Sequence, residues 1–401
     1  MIPVEWEVTQ AGQTTTKVGS GITPTGGNRV YKSEGRPFLR SQNIGWGTLL
    51  LDDVAFIDDA IHCTFADTEI KSGDVFLNIT GASIGRSSVA DSRVEGGNVN
   101  QHVCIVRPDY ERLTSQFLNC LLLSSLGQGQ IDSFQAGGNR QGLNFAQVRS
   151  IRLPLPPLPE QRAIATALSD VDGLLGGLDR LIAKKRDLKQ AAMQQLLTGQ
   201  TRLPGFHGEW EVKRLGDVAE MGSGGTPASS VPAYYDGDIP WASISDMTKG
   251  GKVISSTDRN LTRAGFTNSA AQMFPAGTIL YAMYASLGEC SIAGISLCSS
   301  QAILGIRPKD KLNGEFLYYF LTSLKAIVKT LGQQGTQANL NKGMVQDFRL
   351  SLPPLPEQTA IAEVLTEMDG ELAVLEQRRE KTRALKQAMM QELLTGQTRL
   401  V

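Results

Sequence analysis

Residues 153–203 read LPLPPLPEQRAIATALSDVDGLLGGLDRLIAKKRDLKQAAMQQLLTGQTRL, and the stretch recurs 197 positions later at residues 350–400 as LSLPPLPEQTAIAEVLTEMDGELAVLEQRREKTRALKQAMMQELLTGQTRL. The two copies align without a gap, and 32 of the 51 positions are identical. A repeat of this length within 401 residues predicts a protein made of two similar halves.

Each copy predicts an extended proline-rich segment followed by a long amphipathic helix. The prolines of LPLPPLP hold the chain extended and lack amide donors. Pro159 suits the first helical position, and Glu160 behind it faces the positive end of the helix dipole. Gly199 and Gly396 are typical helix-ending residues. About 38 helical residues would form a rod of about 57 Å.

Apolar residues follow each helix at alternating intervals of four and three, which is the spacing of a coiled-coil seam. A helix this long needs a partner to cover such a stripe. The simplest partner is the other copy, and pseudo-two-fold symmetry between the halves would make the two helices antiparallel; two unrelated amphipathic helices in one globular core are the alternative. The predicted seam consists of Ile164, Leu168, Val171, Leu175, Leu178, Ile182, Ile361, Leu365, Met368, Leu372 and Leu375, before Arg379 interrupts it.

The length allows two domains of about 150 residues, each with its own core. We predict domains at 1–152 and 204–349, joined by the repeated regions 153–203 and 350–401. The sequence has no signal peptide and no apolar run that could span a bilayer, so we expect a soluble, cytoplasmic protein without membrane contact. The five cysteines lack a CxxC pair and the three histidines are scattered, which favours reduced, buried thiols and no metal site.

The LPPLPEQ-x-x-I motif, the long helix and the LLTGQ ending, present twice, resemble the conserved regions of the specificity subunit of Type I restriction-modification enzymes. The resemblance covers the whole chain as variable domain, conserved helix, variable domain, conserved helix. It implies an α+β fold in which two similar mixed α/β target-recognition domains are joined by two long antiparallel coiled-coil helices. Each domain would read one half of a bipartite, asymmetric DNA site, and the helices would set the spacer.

The resemblance also implies partners. These are double-stranded DNA, two methyltransferase subunits that use S-adenosylmethionine, and two ATP-driven endonuclease subunits in the restricting form. The chain itself would hold no cofactor. Exposed helix positions are candidates for the docking surface, although a solvated helix face explains them equally well: Arg180, Lys184, Lys185, Gln377 and Arg378.

The charge balance argues against a chain that binds DNA unaided. The net charge is −1, with 13 basic and 15 acidic residues in 1–157 and 13 and 12 in 204–354. A protein that binds DNA alone is normally basic. Either the chain does not bind DNA, or partner subunits supply most phosphate contacts while this chain reads bases. The resemblance favours the second interpretation.

Two pairs of polar segments at equivalent places in the halves are candidates for DNA contact, because Arg, Gln, Asn and Ser can bond to base edges. The first pair follows a short strand, and a solvated strand end is the alternative. The second is the turn of a hairpin, where Arg86 aligns with Glu289. Opposite charges there suit domains that read different sequences, but surface drift between repeats also explains them. The candidates are Arg40, Gln42, Asn43, Ser83, Arg86, Ser243, Ser245 and Ser286.

A third pair of polar segments, residues 135–144 and 333–342, lies just before the repeated prolines and after a predicted short helix at 117–126 or 316–324. Its glycines would let the backbone approach a groove, and Asn and Gln can pair with adenine. A flexible solvated loop is the alternative. The candidates are Asn139, Arg140, Gln141, Asn144, Thr336, Gln337, Asn339, Asn341 and Lys342.

The shared residues carry less information about sequence readout. Gln101 and Gln301 align, so a structural or backbone-contact role suits them better than base discrimination. Glycines near residues 19 and 222 lack the surrounding pattern of a phosphate loop and are interpreted as turn glycines. The sequence has no NPPY/F or DPPY/F tetrapeptide, P-loop, HExxH or GxSxG, so we expect no catalytic activity of its own. A coiled-coil scaffold joining two protein-binding domains and a fused enzyme with unrecognised motifs are the rival hypotheses.

Overall fold

The chain divides into two compact units that both contain parts of the repeated regions. The computed structural model describes residues 3–135, 142–333 and 339–400. The first unit comprises Met1–Asp179 and Gln377–Val401, and the second comprises Arg180–Glu376. Each unit therefore takes the start of one long helix and the end of the other, rather than one whole copy of the repeat.

The first unit contains short strands and helices followed by the first long helix, of which it includes the residues up to Asp179. In chain order the elements are β1 (Glu7–Gln10), β2 (Thr15–Ser20), β3 (Arg36–Leu39), β4 (Ala55–Ile57), α1 (Asp59–Cys63), β5 (Val75–Asn78), β6 (Ser87–Val89), β7 (Asn98–Val99), β8 (Val103–Pro108), α2 (Ser115–Leu123), α3 (Ser125–Gln135), α4 (Phe145–Ser150), β9 (Arg152–Leu155) and α5 (Leu158–Leu196).

The second unit repeats this order with few additions. The residues of its last helix from Gln377 onward belong to the first unit. The elements of the second unit are β10 (Glu211–Arg214), α6 (Leu215–Val218), β11 (Ala219–Ser223), β12 (Tyr235–Ala242), α7 (Ile244–Gly250), β13 (Val253–Ile254), β14 (Arg259–Leu261), α8 (Arg263–Thr267), β15 (Ile279–Ala282), β16 (Cys290–Ala293), β17 (Cys298–Ser299), β18 (Ile303–Pro308), α9 (Gly314–Ser323), α10 (Lys325–Gln333), α11 (Lys342–Gln346), β19 (Arg349–Leu352) and α12 (Leu355–Leu394).

The sheets of the two units have the same topology. The first unit has a four-stranded sheet in the order β2-β8-β5-β6 and a three-stranded sheet β4-β3-β7. The second has β11-β18-β15-β16, extended by β13, and β14-β12-β17. The central strand of each small sheet pairs antiparallel with one neighbour and parallel with the other. The predicted hairpins are present as β5–β6 and β15–β16, and the predicted doubled mixed fold is confirmed.

Each proline-rich segment begins as a short strand, in line with the predicted extended conformation. β9 pairs antiparallel with β1, and Pro154 lies opposite Val8. β19 pairs with β10 in the same way. Proline lacks an amide donor, and it is tolerated in this two-stranded edge pairing. Each domain is thus fastened to the chain immediately before its long helix.

The long helices run antiparallel within each unit, as the ion pairs between them show. In the first unit Asp172 bonds Lys386 at 2.6 Å and Asp179 bonds Arg379 at 3.4 Å, so one residue number rises as the other falls. In the second unit Lys185 bonds Glu371 at 2.5 Å, and Lys189 contacts Asp369. All the predicted seam residues are at least half-buried: Ile164, Leu168, Leu178, Ile182, Ile361, Leu365 and Leu372 are buried, and Val171, Leu175, Met368 and Leu375 are half-buried.

The helix ends belong to the domain cores. Ile164 and Leu168 at the start of α5, with Leu394 at the end of α12, pack in the cluster that contains Phe117 of α2. In the second unit the start of α12 and the end of α5 join the cluster around Phe316. Burying apolar side chains from three segments in one core ties each domain to both helices.

The structure corrects two smaller expectations. Two helices, not one, precede the last polar segment in each unit: α2 and α3, and α9 and α10. An extended Ser124 separates α2 from α3, and the polar, glycine-containing sequence of α3 does not indicate a second helix. Cys63 is exposed rather than buried. Within the described ranges, the helices lack the combination of length and apolar character needed to cross a bilayer.

Candidate nucleic-acid interface

The glutamate of the first LPPLPEQ motif anchors the first unit. The Glu160 side chain is fully buried and accepts a hydrogen bond from Trp6 Nε1 at 3.1 Å. Its two carboxylate oxygens bind the Arg399 guanidinium, with Nη2–Oε2 at 2.8 Å. The guanidinium also lies 5.7 Å from the centre of the Trp6 ring and 3.2 Å from a Glu5 oxygen. We call the set Trp6–Glu160–Arg399 the first clamp.

The second unit contains the same arrangement. Buried Glu357 accepts from Trp210 Nε1 at 3.2 Å and binds Arg202 through two hydrogen bonds of 2.5 and 2.7 Å. The Arg202 guanidinium lies 5.6 Å from the Trp210 ring centre. We call Trp210–Glu357–Arg202 the second clamp. Each clamp joins the start of a domain, the start of one long helix and the segment after the other helix, which explains the EW, EQ and TRL repeats.

The glutamine of the same motif holds the helix start against the domain. Gln161 Nε2 donates to Pro156 O at 2.9 Å and to Arg112 O at 2.8 Å, and its Oε1 accepts from Thr114 N at 2.9 Å. Gln358 makes the corresponding three bonds to Pro353, Lys311 and Asn313. The motif therefore has a structural role, and it fixes each domain relative to its helix start.

The first candidate segment divides into buried and exposed residues. Asn43 is buried: its Oδ1 accepts from Arg40 N at 2.9 Å, and its Nδ2 donates to the carbonyls of Leu50 and Asp53. A direct base contact by Asn43 is therefore contradicted, since its hydrogen-bonding groups hold the loop. Arg40 is 19% exposed and bonds Asp53, whereas Gln42 is exposed and donates to an Asp53 oxygen at 2.6 Å.

Serines occupy the corresponding place in the second unit. Ser243 is half-buried and precedes α7, where its backbone N–H and its hydroxyl both donate to Asp246 Oδ2, at 2.8 and 2.6 Å. The Asp246 carboxylate thus holds the residue that precedes α7, with both bonds running from Ser243 to Asp246. Ser245, two residues later, is exposed. Only Ser245 of this pair presents its side chain fully to solvent.

The hairpin turns place the second set of candidates. Ser83 and Arg86 are half-buried at the β5–β6 turn, and Ser286 is half-buried at the β15–β16 turn. Glu289, aligned with Arg86, bonds Lys325 of α10 at 2.5 Å. The two turns therefore differ in charge at an equivalent position, although the carboxylate in the second unit already has a partner.

The third candidate segment lies partly outside the described residues, which exclude Asn139, Arg140, Gln141, Thr336 and Gln337. Asn144 is exposed and caps α4 by accepting from Gln147 N at 2.9 Å, and Asn341 caps α11 by accepting from Met344 N at 3.0 Å. The sequence signal for these caps, Asn just before a short apolar helix, is a known N-terminal preference. Asn339 and Lys342 are exposed.

The shared glutamines make the same contact in both units. Thr23 Oγ1 donates to Gln101 Oε1, and Thr226 Oγ1 donates to Gln301 Oε1. The shared glycines also have a structural reason. A Cβ on Gly21 would collide with the carbonyl of Val99, and one on Gly224 would collide with the carbonyl of Ser299. These residues therefore let the loop after the first strand of each large sheet pass closely over the small sheet.

Comparison with known proteins agrees with this doubled arrangement. The family model described as "Type I restriction modification DNA specificity domain" matches residues 3–182 and 207–383. The chain belongs to the type I restriction-modification specificity subunit family.

Individual specificity subunits and their structures extend the likeness over nearly the whole chain. The putative type I restriction enzyme MjaX specificity subunit of Methanocaldococcus jannaschii is 24% identical over 415 residues, which cover 100% of this chain and 95% of that protein. The S subunit from M. genitalium has a TM-score of 0.61 at 15% identity, covering 98% and 96% of the two chains. The HsdS subunit from Thermoanaerobacter tengcongensis has a TM-score of 0.52 at 20% identity, covering 99% and 98%. These structures show the fold, and membership implies DNA target recognition.

One polar network of this specificity subunit occurs in the second unit alone among the residues described. Tyr319 OH donates to Asp369 Oδ2 at 2.6 Å, and Asp369 also binds Lys189 of α5. Lys252 Nζ lies 2.9 Å from Tyr319 OH, 3.1 Å from Thr366 Oγ1 and 2.5 Å from a Glu315 oxygen. Burial, together with the hydrogen bond to Asp369, raises the pKa of the Tyr319 hydroxyl. The network binds the second domain to both long helices.

The first unit has Cys120 at the position of Tyr319. Burial raises the pKa of the Cys120 thiol to about 11, because its thiolate would be poorly solvated; the nearby Lys386 opposes this increase. Asp172 and Lys386 are the first unit's equivalents of Asp369 and Lys189, and they bind each other directly. The ion pair between the helices is thus common to both units, whereas the connection from the domain to that ion pair is not.

Proposed function

We propose that this chain reads a bipartite, asymmetric DNA sequence, one half through each unit. The observation that carries the proposal is the combination of a repeated framework with different polar side chains at equivalent positions. The framework repeats in both clamps, in the hydrogen bonds of Gln161 and Gln358, and in the sheet orders. The side chains differ: Gln42 lies where the second unit has serines, and Arg86 aligns with Glu289. A repeated framework that presents different base-contacting groups suits recognition of two different half-sites.

The charge of the chain assigns part of the binding energy to partners. A net charge of −1 gives little attraction to phosphates, and several basic side chains are already bonded to acids, among them Arg40, Arg107 and Arg307. Phosphate contacts position a protein on DNA and dominate its affinity. We therefore propose that methyltransferase subunits supply most of these contacts, while this chain supplies sequence readout.

The long helices suit a spacer and a docking surface. A helix of 39 or 40 residues is about 58–60 Å long, which exceeds one 34–36 Å turn of DNA. Leu181 and Leu188 of α5 and Val374 of α12, all in the second unit, are exposed apolar side chains. Exposed apolar residues on a paired helix favour a further protein partner. Lys185, by contrast, is bonded to Glu371 and belongs to the helix pairing.

The partners that we propose are two methyltransferase subunits, with two endonuclease subunits in the restricting complex. S-adenosylmethionine and ATP would bind those subunits, and this chain would direct them without catalysing the reaction itself. Methylation can be measured apart from restriction, because it would need this chain and the methyltransferase subunits but not the endonuclease subunits.

Mapping methylated adenines tests the proposal. The chain is expressed with a methyltransferase subunit encoded beside it in a methylation-free host, and the modified positions are located by long-read sequencing. We expect a split motif with two unlike halves and a fixed unspecified gap. A continuous motif would contradict the two-reader model. A stable complex that methylates nothing and shows no DNA dependence would instead support the scaffold hypothesis.

A further inference from the structure

Arg259, the first residue of β14, lies against two aromatic rings of the neighbouring strand. Its Cζ is 4.4 Å from the centre of the Tyr235 ring and 5.6 Å from that of Trp241. Trp241 is its direct cross-strand partner in the β12–β14 pair. Stacking on two rings restricts a side chain that is otherwise among the most mobile on a protein surface.

The aromatic pair beneath Arg259 is itself held in place. Tyr235 OH donates to Pro227 O at 2.7 Å, and Trp241 Nε1 donates to Gly225 O at 2.9 Å. Both rings are buried, and they meet edge to face with centres 6.4 Å apart. A bulge in β12 places both Tyr235 and Ile239 opposite Leu261, and Asp236 inside the bulge has a φ of 61°. Bulges are often used to re-aim side chains near binding sites.

The hydrogen-bonding edge of the Arg259 guanidinium is available. The residue is exposed, and no salt bridge or side-chain hydrogen bond joins it to another residue within the described ranges. The adjacent acid, Asp258, is bonded to Lys249 at 2.6 Å. A guanidinium stacked by its face keeps its N–H donors directed outward in the plane, which matches paired acceptors.

The first unit lacks this feature at the equivalent strand position. There Phe38, the counterpart of Trp241, lies opposite Ala55, which is buried with Phe38 and Phe65. The nearest similar group is Arg40, 5.6 Å from the Tyr31 ring centre, but it is 19% exposed and bonded to Asp53. The second unit therefore presents an unneutralised, pre-positioned arginine where the first has a buried alanine in an apolar cluster.

We infer that Arg259 contacts DNA in the half-site read by the second unit, through a pair of acceptors. This inference rests on the proposed function and adds a residue to it. The acceptor pair is either guanine O6 and N7 or two phosphate oxygens, both of which an arginine fork can bind. A guanine contact makes Arg259 a determinant of specificity, and a phosphate contact makes it a positioning residue.

The test compares Arg259→Ala, Arg259→Lys and the unchanged chain, each in complex with the methyltransferase subunit. Arg307→Ala is the matched control, because it removes the same charge from the same unit at a guanidinium already bonded to Glu220. Two measurements are made: the methylated motif, and the affinity for a duplex that carries it at several salt concentrations.

A guanine contact predicts that Arg259→Ala relaxes one position of the second half-site, with preference for guanine falling by about 5- to 150-fold. Arg259→Lys would restore little of the lost preference for guanine. A phosphate contact predicts an unchanged motif, weaker binding, and a salt slope reduced by about 1, which Arg259→Lys restores. The Arg307→Ala complex should match the unchanged chain in both measurements.

The inference is overturned if Arg259→Ala retains the motif, the affinity and the salt slope of the unchanged complex. This result differs from failure of the proposed function, because in that case the unchanged chain itself would show no bipartite motif.

Discussion

The two units share their clamps but differ in how each domain is connected to the paired helices. Glu160 and Glu357 each bind a tryptophan and an arginine with nearly the same geometry. In contrast, Tyr319 and Lys252 connect the second domain to Asp369 and Thr366 of α12. The equivalent residue in the first domain is Cys120, whose shorter side chain lies near Asp172. Between α2 and α5 the first unit has a cleft of about 460 Å³ lined by Gln116, Arg162 and Ser169 among others.

This difference separates the fixed parts of the architecture from the variable ones. The clamp is built entirely from repeated segments, so both units need it in the same form. The domain-to-helix network uses residues of the variable domains, so it can be strong in one unit and nearly absent in the other. The repeated framework holds each domain in place, and the domain's own residues determine how strongly it is bound to the long helices.

The largest effect is expected from removing a clamp arginine. Arg399→Ala leaves the buried Glu160 carboxylate without its cation, and Arg202→Ala does the same to Glu357. Deleting the cation that pairs with a buried carboxylate is strongly destabilising, because it leaves that charge buried without compensation. We expect each variant to increase hydrogen exchange in its own unit. Arg399→Lys keeps the charge and should lose less; equal, small effects of all three substitutions would contradict the clamp's role.

A smaller effect, confined to the second unit, is expected from Tyr319→Phe. The substitution keeps the ring but removes the hydroxyl that bonds Asp369 and Lys252. Leaving buried polar groups unpaired costs about 1–3 kcal/mol. The free energy of opening that hydrogen exchange reports for α9 should fall by the corresponding amount. Cys120→Ser in the first unit should change the hydrogen exchange of α2 little. If both variants loosened their units equally, the proposed difference between the units would be wrong.

The smallest effect is expected at the capping asparagines. Asn144→Ala and Asn341→Ala each remove an N-cap, which costs about 1 kcal/mol. Asn→Asp retains the cap, but a carboxylate has no N–H to donate to adenine N7 while its oxygen accepts from the N6 amino group, as an amide does. Denaturation monitors the cap, and the methylated motif monitors readout. A motif unchanged by Asn144→Asp would assign Asn144 to the fold alone, whereas a changed motif would add base contact to its capping role.

The sequence predicted the features that depend on local pattern. The repeat, the helix bounds to within a few residues, the seam and the hairpins all follow from spacing and composition. It could not predict the clamps, because Glu160 and Arg399 are separated by 239 residues and nothing local identifies them as partners. The signal for the clamps is the recurrence of Trp, Glu and Arg in both halves, because a buried acid at a repeated position requires a repeated cation.

The candidate site was predicted less well than the fold. A polar residue after a strand looks the same in sequence whether it faces solvent or holds a loop together. Asn43 is buried and donates to the carbonyls of Leu50 and Asp53, whereas Gln42 beside it is exposed. Arg259 was overlooked because its importance lies in the rings across the strand pair, which a linear pattern does not show.

The most direct test of two readers separated by a helical spacer is the methylation motif of a lengthened chain. Four residues of helix-forming sequence are inserted after Asp179 in α5 and after Glu376 in α12, the points where the units divide. Each helix should lengthen by about 6 Å, a little over one turn. That is less than two base pairs at about 3.4 Å each. We predict that the unread gap grows by one or two base pairs while both half-sites stay unchanged. An unchanged gap, or altered half-sites, in a complex that still methylates DNA would contradict the account.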